Sequence, residues 1–364
     1  MEEVPKRGTN WVAVLAIVIS LLIVLAGIAT FAPNLPARLV NDTNSLLGRI
    51  TTNLPQSTSS TSSSNQTALS YVVYSPTING SGSNITFPPT YATLANYSLS
   101  LINQDRAKFG LSPVTLSPIK SGQQHADSML YFRYFSHIDT QGYKPYMRYS
   151  LLGGRGSMAE NIAFEAWSGP HYFSVRDVEG TISTLESQMM YNDSICCNNG
   201  HRDNILTGMH NRVSIGVAYD TTHVYFVEDF ETYYIDLNFS VNPNYVVQFT
   251  GTPLRDAQVM DIGVFYDPTP SPESVAQLNA GGHEYDSGTA VGGVLPPCTV
   301  SCKYFPGAVT VYATTWKYSA TQVDVAFPMI DFIQKDGAGV YTLYMMTGSS
   351  TNSSITTISV FVNV

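Results

Sequence analysis

The sequence has few charged residues, and basic residues are the scarcer kind. Only 12% of its 364 residues are charged, and 18 lysines and arginines against 27 aspartates and glutamates give a formal net charge of −9. A nucleic-acid-binding face requires clustered basic side chains, and the chain contains no basic run. The composition therefore argues against a nucleic-acid partner.

The chain also lacks the motifs of the standard protease classes. It contains no His-Glu-x-x-His helix, and no combination of serine, histidine and aspartate is arranged as a catalytic triad would require. Any hydrolytic activity would have to come from a different set of residues.

Cysteine is scarce as well. The four cysteines occur as the adjacent pair Cys196-Cys197 and as Cys298 and Cys302. Four cysteines allow three connectivities, and adjacent cysteines seldom bond to each other because the ring is strained. We therefore expect disulfides between the two pairs, with a local Cys298–Cys302 bridge as the alternative. A zinc site that combines cysteines with His283 lacks the usual spacing.

One long apolar run lies near the N-terminus. Residues 11–32 make 22 residues, which as a helix span about 33 Å and match the hydrocarbon core of a bilayer. Lys6 and Arg7 precede it, so residues 1–10 are predicted to be cytoplasmic and the rest of the chain to lie outside a cell membrane that it crosses once. The alternative is a cleaved signal peptide, but the run is longer than a signal core.

The segment that follows is poor in apolar patterns. Residues 33–89 are rich in Ser, Thr and Asn, and they are predicted to form a disordered stalk with one short strand near Tyr71–Tyr74. A folded subdomain is the alternative. An extracellular location would make the chain's eight Asn-x-Ser/Thr sequons candidate glycosylation sites. They begin at Asn41, Asn65, Asn79, Asn84, Asn96, Asn192, Asn238 and Asn352.

The middle third has helical periodicity followed by alternating strands, which predicts an α+β domain over residues 90–235. The predicted elements are helices near 94–109, 126–133, 145–152 and 182–189, and strands at 213–219 and 224–230.

Four polar residues in this domain have recognisable contexts. His137 ends the run Tyr-Phe-Ser-His, Glu160 lies in Ala-Glu-Asn-Ile, His201 opens His-Arg-Asp-Asn-Ile-Leu, and Glu186 lies on a predicted helix. Two imidazoles and two carboxylates can hold a divalent metal ion, or exchange protons near neutral pH. They are the candidate site, with zinc or another divalent metal as the candidate cofactor.

These motifs resemble those of the CAP superfamily, which comprises cysteine-rich secretory proteins, antigen 5 and plant pathogenesis-related class 1 proteins. The resemblance covers Thr90 to Glu231 and is strongest to prokaryotic members. It implies a three-layer α-β-α sandwich whose cleft is lined by two histidines and two glutamates, and in several members the histidines bind a metal. His137, Glu160 and His201 match directly; Glu186 is the favoured fourth residue and Glu228 its competitor.

Supporting roles are expected for the neighbours of these residues. Asn161 accompanies Glu160, Arg202 is expected to clamp the loop after His201, and Asp203 to cap the helix that begins there. The second histidine has the context Gly-His-Arg-Asp-Asn and not Gly-His-Tyr-Thr-Gln, and the family's cysteine-rich extension is absent. Roles of eukaryotic relatives are therefore not expected here.

The C-terminal region has no helical periodicity. Over residues 241–364, short strands separated by Gly, Pro and Asp turns predict an immunoglobulin-like β-sandwich. The predicted strands are at 245–249, 259–266, 308–314, 322–327, 339–345 and 355–362.

Together these patterns predict a membrane-anchored extracellular protein whose cleft binds a divalent metal or a small ligand without catalysis. One alternative is a metal-assisted hydrolase of peptide or cell-surface polymer, with Glu160 or Glu186 as the catalytic base. The other is a structural surface protein or adhesin. The expected partners are the membrane and a cell-surface polymer, a protein or a small ligand.

Overall fold

The structure, a computed structural model, describes residues 73–74, 89–169, 175–281, 284–348 and 353–363. They belong to one compact unit, Leu69–Val364. The predicted transmembrane helix at 11–32 and all of the predicted stalk except β1 and Pro89 lie outside the described residues. Of the helices that are described, none has the length and apolar character needed to cross a membrane.

Eight helices and fourteen strands are found in the described residues. The helices are α1 (Pro89–Lys108), α2 (Ser121–Phe132), α3 (Pro145–Leu151), α4 (Val175–Tyr191), α5 (Ser194–Cys197), α6 (Gly200–Leu206), α7 (Val275–Ala280) and α8 (Ile330–Asp336). The strands are β1 (Val73–Tyr74), β2 (Thr115–Leu116), β3 (Ser157–Ala166), β4 (Arg212–Tyr219), β5 (His223–Thr232), β6 (Ile235–Val241), β7 (Val246–Pro253), β8 (Asp261–Asp267), β9 (Thr289–Leu295), β10 (Val309–Tyr312), β11 (Thr315–Tyr318), β12 (Val323–Pro328), β13 (Gly339–Met346) and β14 (Ile358–Val362).

The first part of the chain is built on a four-stranded sheet of order β2-β4-β5-β3. Successive side chains of a strand point to opposite faces, so both faces of this sheet can be buried. On one face α1 and α4 cover the sheet, and Ile182 packs near Phe226 in a common core. On the other face α2 buries Met129 with Val227. The predicted α+β organisation is therefore confirmed.

A glycine pair fixes the position of α2. A side chain at Gly216 of β4 would overlap the backbone of Gly122 on α2, so the helix and the strand approach more closely than other residues allow. Beside them, the Gln123 side chain donates to the Val217 carbonyl at 3.0 Å and accepts from its N–H at 2.9 Å. The helix ends at Arg133, whose left-handed backbone (φ 61°) turns the chain toward the site.

The later strands form two further sheets. Their orders are β1-β14-β13-β8-β9-β10 and β11-β12-β7-β6. The sheets share one hydrophobic core, to which Phe249 and Leu343 contribute. The short strand predicted in the stalk is present as β1, paired antiparallel with β14. β9 and β10 pair in parallel, and the immunoglobulin-like assignment of this region stays a prediction.

Several elements were not predicted. β3 is the most important, because it carries Glu160 and Asn161. Its sequence has polar residues on both faces, so it lacks the apolar alternation by which a half-buried strand is recognised. β2, β6, β9 and β11 and the short helices α5, α7 and α8 were missed as well.

The sheet of the first part and the six-stranded sheet are in contact. Tyr146 and Met147 of α3 form a buried apolar cluster with Val340 and Phe361. In the same region Ser150 donates to the Thr357 carbonyl at 3.0 Å. The division into domains at 90–235 and 241–364 stays a prediction.

Three of the predicted sequons can be located. Asn96, Asn192 and Asn238 are exposed, which leaves their side chains accessible to modification. The other five lie outside the described residues.

Candidate functional site

Strand β3 distributes the candidate residues over the two faces of its sheet. It pairs antiparallel with β5, so that Glu160 lies opposite Asp229 and Asn161 lies opposite Glu228. Because adjacent residues alternate in direction, Glu160 and Asn161 project to opposite faces. Two polar clusters result, one on each face at the same point of the sheet.

The first cluster is centred on Glu160, which is buried. Its Oε1 lies 2.8 Å from His137 Nδ1, and its Oε2 accepts a 2.9 Å bond from Arg148 Nη2. Arg148 Nη1 also donates to the backbone carbonyls of His137 at 2.8 Å and Tyr143 at 2.7 Å. The guanidinium thus fixes both Glu160 and the loop that carries His137.

The protonation of Glu160 is set by competing influences. Burial raises its pKa to about 7, although the positive charge of Arg148 acts in the opposite direction. The pKa of the neighbouring Asp229 is raised well above its usual value by burial and by the Glu160 charge. Two buried carboxyl groups in contact cannot both be ionised easily, so this pair retains a proton near neutral pH.

Two residues that the sequence did not single out complete this cluster. Tyr285, which comes from the C-terminal part, accepts the Glu160 backbone N–H at 2.9 Å, and its ring lies 4.8 Å from the His137 ring. His125 is buried with its Nε2 2.8 Å from the Ser136 carbonyl and 3.9 Å from Glu160 Oε1. Burial lowers the pKa of His125 well below 6.5, so the ring is neutral.

On the opposite face Asn161 joins three elements. Its amide donates to Glu228 at 3.1 Å and to the His201 carbonyl at 3.2 Å, and its oxygen accepts from Asn204 at 2.8 Å. Asn161 thereby connects β3, β5 and α6. A side-chain amide suits this position, because Asn161 both donates and accepts hydrogen bonds there.

Glu186 and Glu228, the two competitors for the fourth position, lie side by side. Glu186 is 2% exposed and Glu228 is fully buried. Burial and the mutual proximity of the carboxyl groups raise the pKa of Glu186 well above its usual value, and burial raises that of Glu228. Both residues therefore belong to one acidic pair.

His201 is held by Asp193. Its Nδ1 lies 2.7 Å from Asp193 Oδ1, while Asp193 Oδ2 accepts the backbone N–H groups of His201 at 2.9 Å and Arg202 at 3.2 Å. The expectation that Asp203 caps this helix was wrong. Asp203 is exposed, and Asp193 reaches the first N–H groups of α6 from the preceding turn.

Arg202 differs from its expected role as well. Its Nη1 donates to the Met190 carbonyl at 2.7 Å, and its guanidinium lies 4.9 Å from the centre of the Phe109 ring. Arg202 therefore fastens α6 to the end of α4 through the Met190 carbonyl, and to the end of α1 through the Phe109 ring.

The cysteines pair locally. Bonds join Cys196 to Cys197 and Cys298 to Cys302, so the expected bridges between the two pairs were wrong. The Cα atoms of Cys298 and Cys302 are 5.6 Å apart across a turn, which is an ordinary separation for a disulfide. Each cysteine pair forms its disulfide within its own loop.

One group of metal-ligating side chains is found among the described residues. The ligand atoms of Asp193, Cys196, Cys197 and His201 all lie within 4.8 Å of one another. The group includes His201 but not the other three predicted site residues. The direct contacts of the predicted set therefore connect His137 with Glu160 and place Glu186 beside Glu228.

The missed residues gave weak signals in the sequence. Asp229 follows Glu228 on a strand whose alternation was recognised, so its opposite orientation was derivable. Asp193 lies between the asparagine and the serine of the Asn192 sequon, and no other local signal marks it. Tyr285 had no local signal, because 125 positions separate it from Glu160.

No protein-family model matches the chain, and no curated protein matches it. Among solved structures the chain is similar to an extracellular protein containing a SCP domain from Bacillus anthracis str. Ames, at 20% identity and a TM-score of 0.29, over 39% of this chain and 41% of that one. It is also similar to the CAP domain of Enterococcal PrgA, at 14% identity and a TM-score of 0.28, over 37% of this chain and 58% of that one. The chain thus spans less than two thirds of either structure. Both of those proteins carry a domain of the family that the motifs resemble.

Proposed function

We propose that this chain is an extracellular binding protein of the CAP type. Residues 11–32 anchor it in the cell membrane, residues 33–89 form the stalk, and residues 241–364 form an immunoglobulin-like interaction or spacer domain. The site lies on both faces of the sheet, with His137 and Glu160 on one face and His201, Glu186 and Glu228 on the other, and either face is proposed to bind a divalent metal ion or a small ligand.

The observation that carries the proposal is the way both histidines are oriented. Each has its Nδ1 against a buried carboxylate, at 2.8 Å for His137 with Glu160 and 2.7 Å for His201 with Asp193. A carboxylate on one ring nitrogen fixes the tautomer and raises the basicity of the other, which is the usual arrangement around metal-binding histidines.

The donor set fits a divalent ion such as zinc. Neutral imidazole nitrogens are preferred zinc ligands, and His137 on one face of the sheet or His201 on the other would hold an ion. A bound ion would supply positive charge that polarises an oxygen-containing ligand. Arg148 and Asp193 would keep the two histidines in place.

A binding role fits the carboxylates better than catalysis does. A general base must reach the proton that it removes. Both oxygens of Glu160 are already bonded to His137 and Arg148. Glu186 is buried beside Glu228. These contacts favour a supporting function for the acids.

One observation favours the second candidate, a metal-assisted hydrolase of peptide or cell-surface polymer. Burial brings the pKa of Glu160 to about 7, a value that suits proton transfer near neutral pH. This candidate requires that Glu160→Gln abolish hydrolysis of a peptide or cell-wall substrate while zinc affinity stays unchanged. If the wild-type protein hydrolyses neither substrate, the hydrolase is ruled out and the binding function is retained.

The test of the proposed function is zinc titration by calorimetry on the full chain without reductant. The wild type is compared with His137→Ala/His201→Ala and with His223→Ala, which removes a histidine outside the cluster. We expect zinc binding by the wild type and by His223→Ala, and its loss in the double variant. Equal binding by all three proteins would contradict the site.

A further inference from the structure

The geometry around Asp193 points to a second metal site that forms only when the Cys196–Cys197 disulfide is reduced. Its ligands are Asp193, the two thiolates and His201, and its metal is a thiophilic divalent ion such as zinc. The inference goes beyond the proposed function, with which it shares His201 and its partner Asp193.

The backbone explains why these side chains converge. The short helix α5 ends at Cys197, and both following residues, Asn198 (φ 49°) and Asn199 (φ 67°), are left-handed. Asparagine tolerates this conformation better than most residues, so the chain can reverse tightly. The reversal starts α6 and brings His201 back onto Asp193.

The resulting donor set suits zinc in type and number. Two sulfurs, one imidazole nitrogen and one carboxylate oxygen lie within 4.8 Å of one another. Tetrahedral zinc sites combine these ligand types. The Cys298–Cys302 pair provides a contrast, because no comparable group surrounds it among the described residues.

Oxidation state decides whether the site exists. In the disulfide each sulfur is bonded to its neighbour, and neither is a thiolate. A thiol reductant breaks the S–S bond by supplying two electrons and two protons, and is itself converted to a disulfide. A divalent ion then displaces the two thiol protons to solvent and binds the thiolates.

The surroundings permit both steps. Cys196 is exposed, and Cys197 and His201 are half-buried, so reductant and metal can reach them. Asp193 is buried and holds the backbone of His201 and Arg202. The loop therefore has a fixed anchor while its sulfur atoms remain accessible.

Cobalt(II) tests the inference, because thiolate ligation gives a charge-transfer band and a tetrahedral site gives visible bands. The full chain carries Cys298→Ser/Cys302→Ser, so that reduction acts only on Cys196–Cys197. A phosphine reductant is used because thiols compete for the metal. We expect the bands only after reduction, and their loss on adding either Cys196→Ser/Cys197→Ser or His201→Ala.

Two further variants separate this site from the proposed function. His137→Ala should retain the bands of the reduced protein, whereas Asp193→Asn should lose their tetrahedral pattern. A reduced protein without bands would overturn the inference. So would bands that survive His201→Ala and Asp193→Asn, since two cysteines alone would then bind the metal. Failure of zinc binding without reductant concerns only the proposed function.

Discussion

The carboxyl groups of Glu186 on α4 and Glu228 on β5 face each other inside the protein. None of the described residues donates an N–H or O–H to either oxygen of Glu186. The pKa of each residue is raised, by burial and, for Glu186, by the adjacent carboxyl group. Asn161 donates to Glu228 Oε2, and a proton held between the two carboxyl groups supplies the hydrogen-bond partner that Glu186 otherwise lacks.

The first prediction concerns this proton. Glu186→Gln replaces the protonated carboxyl by an amide that can donate to Glu228, so stability near neutral pH should stay the same or increase. Glu186→Ala leaves the Glu228 carboxyl without its partner and should cost at least about 1–3 kcal/mol. Urea denaturation measures both changes. Equal destabilisation by glutamine and alanine would rule out a shared proton.

The second prediction is a pH dependence from Glu231, a fully buried residue of β5. Burial raises its pKa from 4.5 to about 7. Between these values the folded protein keeps a proton that the unfolded chain releases, so stability decreases as pH rises through this interval. The contribution is fully present below pH 4.5 and is lost above about pH 7.

Removing the carboxyl group should flatten this profile. One such group contributes a slope of up to about 1.4 kcal/mol per pH unit, so Glu231→Gln should lose less stability than the wild type between pH 5 and pH 7. The measurement is a series of melting temperatures across this range. The control is Glu284→Gln, which alters an exposed glutamate and should leave the profile unchanged. Parallel profiles for all three proteins would contradict the prediction.

The third prediction concerns the buried ion pair of Arg148 and Glu160. Arg148→Met removes the bonds to Glu160 and to the carbonyls of His137 and Tyr143. Breaking one partner of a buried pair costs about 3–5 kcal/mol, because the other charge remains without compensation. The double variant Arg148→Met/Glu160→Gln should recover part of this loss in urea denaturation. A double variant as unstable as the sum of the single changes would argue against coupling.

The sequence singled out candidate site residues where a short motif carries the information. His137, Glu160 and His201 were recognised from their neighbours, and helices α1 to α4 from apolar periodicity. Which residues meet depends on the alternation of β3, and polar residues on both of its faces concealed that strand. Cysteine pairing was predicted from ring strain alone, which says nothing of how a loop brings sulfurs together.

The fourth prediction tests the close approach of α2 and β4. Gly216→Ala places a methyl group against the Gly122 backbone and should destabilise the protein by more than 1 kcal/mol, since packed backbone must move. Gly180→Ala is the matched control. Gly180 lies in α4 with open space around its Cα, so alanine should stabilise the helix by about 0.5–1 kcal/mol. Urea denaturation that shows the same sign for both substitutions would contradict this packing.

The last prediction concerns the contact between the first part of the chain and the six-stranded sheet. Phe361 of β14 is 3% exposed and packs in one cluster with Tyr146 and Met147 of α3. Ser150 strengthens the contact, because its Oγ accepts the Ser359 N–H at 3.0 Å. Phe361→Ala should cost about 3–5 kcal/mol.

The site of that loss can be followed with single tryptophans. Trp167 lies in the first part and Trp316 in the second, so variants that retain one of these two, with Trp11 also replaced, report on each part separately. If the contact couples the two parts, Phe361→Ala lowers the urea midpoint seen by Trp167 as well as that seen by Trp316. If they fold independently, the Trp167 midpoint stays at its wild-type value. Coupling would also mean that the stability of the C-terminal sheet affects the position of Tyr285 and, through Tyr285, the environment of Glu160.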